Sequence, residues 1–100
     1  AMLVKQEGRE PHTVLVTFQF PASIWLDSIY LVGDFNNWDH HSLPLKRSLH
    51  NPYWQITLVL PQGRSYQFRY LIDGTTWCND CSADRYVPNP FGGYNSVVDT

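Results

Sequence analysis

Three stretches of this chain alternate apolar and polar side chains with a period of two. Residues 13–20 begin the series, and residues 53–60 and 65–72 repeat it with a large apolar side chain at every second position. One face of the first stretch is wholly apolar and consists of Val14, Val16, Phe18 and Phe20. Such alternation is typical of a strand with one buried face, and no stretch of the chain has a helical period. The chain is therefore predicted to be all-β.

Further short elements complete the predicted architecture. Residues 28–33 and 94–99 are predicted strands, and residues 45–49 a possible short one. The Pro-Gln-Gly turn at 61–63 predicts that its two flanking runs pair as a β-hairpin. Residues 76–93 are rich in Pro, Asp and Gly and are predicted to be mostly loop. Several short strands separated by turns favour an immunoglobulin-like β-sandwich.

Length and charge limit the possible functions. The 100 residues predict a single domain over 13–100, preceded by a loose N-terminal arm over 1–12. The net charge is −2 and the seven Lys and Arg residues are scattered, so no nucleic-acid partner is expected. No apolar run reaches membrane-spanning length, so no membrane partner is expected either. No export signal is visible, and a cytoplasmic location is the expectation.

The stretch Leu31-Val-Gly-Asp-Phe-Asn-Asn-Trp38 ends the second predicted strand abruptly. Gly33 and the Asn36-Asn37 pair tolerate positive φ, so a sharp turn is expected there. This turn is predicted to present Trp38 at or near the surface. A large flat indole held on a rigid turn is a suitable platform for a ligand with an apolar face.

Several motifs occur in the order found in a known family. They are GDFNNW at 33–38, LPLKRS at 43–48, YQFRYLIDG at 66–74 followed by Trp77, and the closing stretch 84–98. Together they resemble the family-48 carbohydrate-binding modules over residues 13–99. This family includes the glycogen-binding domain of the AMP-activated kinase β subunit and the isoamylase N-terminal early-set domains. The resemblance implies an early-set sandwich and non-catalytic binding of α-1,4-linked glucan, such as glycogen or starch.

The resemblance also implies a set of carbohydrate-binding residues. The two tryptophans that stack on sugar rings in the family fall on Trp38 and Trp77. The lysine and the asparagine that bond hydroxyls fall on Arg69 and Asn95, and the apolar residue of the last loop falls on Phe91. Alternation independently directs Arg69 out of its sheet, because its neighbours in sequence are inward aromatics, and it directs Asn95 outward in the same way. The implied partner is an α-glucan or malto-oligosaccharide, with no cofactor and no metal.

A second function is compatible with the same fold. Some early-set domains are packing modules of a glucan-active enzyme, and the aromatic surface could then be a protein interface without sugar binding of its own. Convergence of the candidate residues on one exposed concave surface would favour sugar. Trp54 alternates with core positions and is predicted to be buried, whereas Trp25 fits either packing on the sandwich edge or an interface.

Catalysis is not expected from the acidic residues. Glycoside hydrolysis requires two suitably spaced carboxylates, one of them with a raised pKa. Glu7 and Glu10, the two glutamates, fall in the predicted arm, and Asp34 and Asp73 fall in predicted turns, where Asp is common for local hydrogen bonding. The chain is therefore predicted not to be an enzyme.

Cys78 and Cys81 form a C-x-x-C motif. No histidine has the spacing that would complete a zinc site, and no helix start is predicted beside the pair. Incidental thiols are the default interpretation, with a short-loop disulfide and a metal site as the alternatives.

Overall fold

A computed structural model describes residues 2–23 and 25–100. Within these residues the protein forms strands and a single turn of 3-10 helix, Asp34–Asn36. The strands are β1 Met2–Glu7, β2 Thr13–Pro21, β3 Ile29–Gly33, β4 Lys46–Arg47, β5 Tyr53–Pro61, β6 Ser65–Ile72, β7 Thr76–Cys78, β8 Arg85–Pro88 and β9 Tyr94–Asp99. No helix in this part of the chain is long and apolar enough to cross a membrane.

The strands form two antiparallel sheets that pack face to face. The first sheet has the order β1-β2-β5-β4, and the second has the order β3-β6-β9-β8. β9 pairs with residues 65–68 of β6, and β7 pairs with residues 70–72 of the same strand. The predicted immunoglobulin-like β-sandwich is therefore confirmed.

The core lies between the inner faces of the two sheets. Phe18 of β2 meets Phe68 of β6 edge to face, with 5.1 Å between ring centroids. Phe20 contacts Tyr70 in the same manner at 5.3 Å. The predicted inward faces of β2 and β6 are thus confirmed. Trp54, predicted to be buried, is half-buried and packs against this core. Full burial of one such side chain contributes about 1.5–3 kcal/mol.

The predicted β5–β6 hairpin is wrong, since the two strands belong to different sheets. β5 pairs with β2, whereas β6 pairs with β3 and β9. The turn after Pro61 carries the chain across the edge of the sandwich. Gln62 N donates to His12 O at 2.8 Å on one side, and Thr100 N donates to Arg64 O at 2.8 Å on the other. Both runs have one face toward the same core, so their alternation is the same whether they pair side by side or face each other.

The loose arm expected over residues 1–12 is corrected by the structure, with residue 1 outside the described part. Met2–Glu7 is strand β1, which pairs with β2 along its whole length. Leu3 packs on the core, and Lys5 Nζ lies 2.6 Å from Asp84 Oδ2 across the open edge of the sandwich. β1 is an edge strand, so its outward positions are solvated and its sequence is polar.

The predicted loop over residues 76–93 contains two strands, β7 and β8. Between them Asp80 is completely buried. Its carboxylate accepts hydrogen bonds from Tyr70 Oη at 2.8 Å and from Ser82 N at 2.8 Å. Burial first, and then the charge of Asp80, raise the pKa of Tyr70 well above its usual value. The loop is thereby fixed to the centre of β6. The 45–49 element is shorter than expected, because only Lys46–Arg47 pairs with β5.

Candidate functional site

A concave pocket of about 700 Å³ lies against the outer face of the second sheet. All five residues predicted from the sequence to bind carbohydrate line it. The full lining is Asp34, Trp38, His40, Gln67, Arg69, Trp77, Asn89, Pro90, Phe91 and Asn95. The five candidate residues come from two loops and three strands, and the fold brings them together on one open surface.

Trp38 is half-buried and is held by a strained turn. Asn37 and Trp38 both have left-handed backbones, with φ of 55° and 59°. Trp38 N donates to Gly33 O at 2.9 Å, which closes the turn. The indole Nε1 donates to Asp34 Oδ1 at 2.9 Å, and Asp34 Oδ2 accepts the backbone N–H of Gln67 at 2.7 Å. Asp34 therefore fixes the indole relative to β6.

Gly33 is required for a reason other than the expected positive φ. Its φ is −173°, which is an extended conformation open to any residue. A Cβ at this position would lie 2.5 Å from Gln67 O and 2.8 Å from Phe68 Cβ. Glycine is needed because β3 and β6 approach closely there. The left-handed conformations fall later in the turn.

Trp77 lies at the centre of a cluster of ring and cation contacts. Arg69 Cζ is 5.9 Å from the centroid of the indole, within the range of a cation–π interaction. The imidazole of His40 meets the indole edge to face at 5.1 Å. Trp77 keeps 36% of its surface exposed. The sequence analysis did not identify His40, since its loop has no periodic pattern.

Arg69 extends outward from β6, as alternation predicted. Its Nε is buried and has no hydrogen-bond partner within the described residues. The guanidinium offers further N–H donors in a planar fork, which suits pairs of oxygen acceptors. It is therefore the cationic donor of the pocket.

Phe91 projects from the loop between β8 and β9 with 93% of its surface exposed. The side chain of Asn89 braces this loop. Asn89 Oδ1 accepts the backbone N–H of Phe91 at 2.9 Å and that of Gly93 at 3.1 Å. Asn89 N also donates to Gly93 O at 2.9 Å. The ring of Phe91 is thus exposed on a hydrogen-bonded turn.

Asn95 is buried in the pocket floor, with only 8% of its surface exposed. Its amide is engaged at both ends. Asn95 Oδ1 accepts from Asn89 Nδ2 at 3.3 Å, and Asn95 Nδ2 donates to Gln67 Oε1 at 3.1 Å. Gln67 lies on the same face of β6 as Arg69, so the alternation that predicts an outward Arg69 is also the sequence signal for Gln67.

The remaining candidates lie elsewhere. Trp25 is 95% exposed and does not line the pocket, so it does not pack on the sandwich edge. Cys78 is half-buried and packs against the core, and no disulfide joins it to Cys81. Residues 2–23 and 25–100 contain no group of three or more His, Cys, Asp or Glu side chains that could hold a metal ion.

The pocket therefore combines two indoles and an exposed phenyl ring with amides and a guanidinium. Its one acidic lining residue, Asp34, has both carboxylate oxygens engaged by the indole of Trp38 and the backbone of Gln67. Such a surface suits a neutral ligand that presents apolar faces and hydroxyl edges.

Comparison with known proteins relates the chain to a family and to a fungal enzyme. A family model described as the glycogen recognition site of AMP-activated protein kinase matches residues 14–100. A glucoamylase of Neurospora crassa is 36% identical over 81 residues. That match covers 69% of this chain and 13% of the glucoamylase, so the chain spans a small part of that relative. The resemblance inferred from the sequence motifs is confirmed.

Proposed function

This chain belongs to the family of glycogen recognition sites represented by AMP-activated protein kinase, and we propose that it binds α-1,4-linked glucan in the pocket described above. One observation carries the proposal. The residues that the family uses for sugar fall on Trp38, Arg69, Trp77, Phe91 and Asn95, which are distant in sequence, and all five line a single open pocket.

In this proposal the indoles of Trp38 and Trp77 stack on the C–H faces of glucose rings. Arg69 donates hydrogen bonds to hydroxyl oxygens, and Phe91 provides an apolar edge. Each stacked ring contributes about 0.5–1.5 kcal/mol beyond area burial. Each net hydrogen bond contributes about 0.5–1.5 kcal/mol. The expected dissociation constant for a malto-oligosaccharide is thus micromolar to millimolar, and a helical oligosaccharide that bridges both indoles binds better than a short one.

We further propose that the chain binds without catalysis and works beside a glucan-active catalytic unit. Hydrolysis by the usual route needs two carboxylates about 5–10 Å apart across the scissile bond. Asp34 is the one carboxylate among the lining residues, and both of its oxygens are occupied. The similarity of this chain to a small part of a glucoamylase supports a glucan-active catalytic unit as its partner.

Native-gel mobility with and without glycogen or amylose tests the proposal, together with calorimetric titration of maltoheptaose. The wild type should be retarded by both α-glucans but not by a soluble β-glucan. Trp38→Ala should abolish retardation while the protein still unfolds cooperatively. If the folded wild type binds α-glucan neither in the gel nor in the calorimeter, glucan binding is refuted and the packing-module alternative is favoured.

A further inference from the structure

The side-chain amides of Asn89, Asn95 and Gln67 form a hydrogen-bonded row across the pocket floor. The backbone at the Asn89 end determines which atom of each amide donates and which accepts. Asn89 Oδ1 accepts two backbone N–H groups, from Phe91 and Gly93. Backbone N–H groups can only donate, so the atom facing them must be the amide oxygen. The orientation of the Asn89 amide is therefore set by the backbone of its own loop.

The orientation of the Asn89 amide determines the orientations of the other two amides. Because Asn89 Nδ2 must donate, the atom that Asn95 presents to it is the acceptor Oδ1. Asn95 Nδ2 then faces Gln67 and can only donate, so Gln67 presents Oε1. The Nε2 group of Gln67 is left at the end of the row as a donor, and no hydrogen bond occupies it within the described residues.

We propose that Gln67 is a further amide that contacts the glucan, through Nε2, and that Asn89 sets its orientation through Asn95. This inference rests on the proposed function. Asn95 is only 8% exposed, and each of its polar atoms already has one hydrogen-bond partner in the row. Gln67 is less buried and lines the pocket directly.

The neighbours of Gln67 place its amide beside the proposed stacking surface. Its backbone N–H is bound by the same Asp34 carboxylate that holds the indole of Trp38. Arg69 lies two residues along the same face of β6. Both polar groups that the strand directs into the pocket are therefore donors, and they select a ligand that presents oxygen lone pairs. Glucan hydroxyl and ring oxygens meet that requirement.

The direct test is Gln67→Glu, assayed by calorimetric titration with maltoheptaose. The substitution keeps an oxygen toward Asn95 Nδ2 and replaces the outward donor by an acceptor. We expect binding about tenfold weaker, the effect of losing one hydrogen bond. Gln62→Glu, in the exposed turn after β5, adds the same charge away from the pocket and should bind like the wild type. Gln67→Met removes the donor without adding charge and should also weaken binding.

A second readout is the side-chain amide NMR spectrum during the titration. The Nε2 resonances of Gln67 should shift more than those of Asn95. Asn89→Ala should speed hydrogen exchange at Phe91 and Gly93 and weaken binding. If the wild type binds while Gln67→Glu and Gln67→Met bind equally well, or if the Asn95 resonances shift and those of Gln67 do not, the inference is overturned and the proposed function stands. A wild type that binds no glucan overturns both.

Discussion

Replacing Trp77 by alanine should affect ligand binding and folding by separate amounts that the structure predicts. Trp77 lies in the three-residue strand β7, which pairs with β6. About a third of the residue, 36%, is exposed to the pocket side, and the rest is covered by its neighbours. The exposed part is available to a sugar ring, and the covered part contributes to the fold.

The expected losses of affinity and of unfolding free energy both follow from the surface area of the Trp77 side chain. A tryptophan presents about 250 Å² at most, so the exposed third is about 90 Å². At about 25 cal/mol per Å², its coverage by a sugar contributes about 2 kcal/mol, or about thirtyfold in affinity. The covered two thirds is worth at most about 4 kcal/mol of unfolding free energy. A domain of this size has about 5–15 kcal/mol of stability, so the Trp77→Ala protein should remain folded.

Calorimetric titration with maltoheptaose and urea unfolding measure the two effects. The matched control is Trp25→Ala, because Trp25 is 95% exposed and lies outside the pocket lining. The control should change neither affinity nor unfolding free energy appreciably. If Trp77→Ala lowers stability but binds glucan as the wild type does, Trp77 is a packing residue and the stacking role is wrong. If Trp25→Ala weakens binding equally, the pocket is not the binding surface.

Two further predictions concern stability. Gly33→Ala would place a Cβ 2.5 Å from Gln67 O, so urea unfolding should show a loss of about 1–3 kcal/mol in unfolding free energy. The control is Gly93→Ala, whose Cβ would have its nearest contact at 3.5 Å and should cause no loss. Equal losses in the two variants would contradict the steric argument. Hydrogen bonds from Arg85 lower the pKa of Asp99 to about 2, below its usual 3.8. The ionised carboxylate therefore stabilises the fold fully above pH 3.8, and this contribution is lost as the pH falls through about 2. The difference in urea midpoint between the wild type and Asp99→Asn should therefore shrink from pH 6 to pH 2, and a constant difference would count against the assignment.

The period of two in the sequence was sufficient to find the long strands and their buried faces. Phe18 and Phe68 meet in the core because each lies on the apolar face of its strand. The same pattern could not identify strand partners. β5 and β6 each need one buried face, and that need is met equally by pairing in one sheet or by facing each other across the core. The turn between them was therefore interpreted wrongly as a hairpin.

The strands that the sequence analysis missed, or treated as a loose arm, share a physical cause. β1, β7 and β8 are short or lie at a sheet edge, and most of their side chains are exposed. Their regularity comes from hydrogen bonds to the backbone of β2, β6 and β9, which any sequence can supply. The burial of Asp80 could not be predicted for a related reason, because its hydrogen-bond partner Tyr70 lies on another element.

The candidate site was predictable where one residue type carries the chemistry. Indoles at Trp38 and Trp77 and a cation at Arg69 are recognisable individually, and the family motifs placed them. The orientation of an amide is different, because it depends on which atoms face it in three dimensions. Nothing in the sequence shows that the loop backbone fixes Asn89 and, through Asn95, directs the donor of Gln67 into the pocket.

One strand, β6, connects all parts of the pocket. Trp38 is fixed through Asp34 to the backbone of Gln67, and the amide row that begins at the Phe91 loop ends on the side chain of the same residue. Trp77 lies opposite a β6 residue, and Arg69 is part of the strand. β6 is also central in its sheet, between β3 and β9. Because the indoles, the guanidinium and the amide row are held to this strand, the protein side of the pocket needs little further ordering, which would lower the entropic cost of the proposed glucan binding.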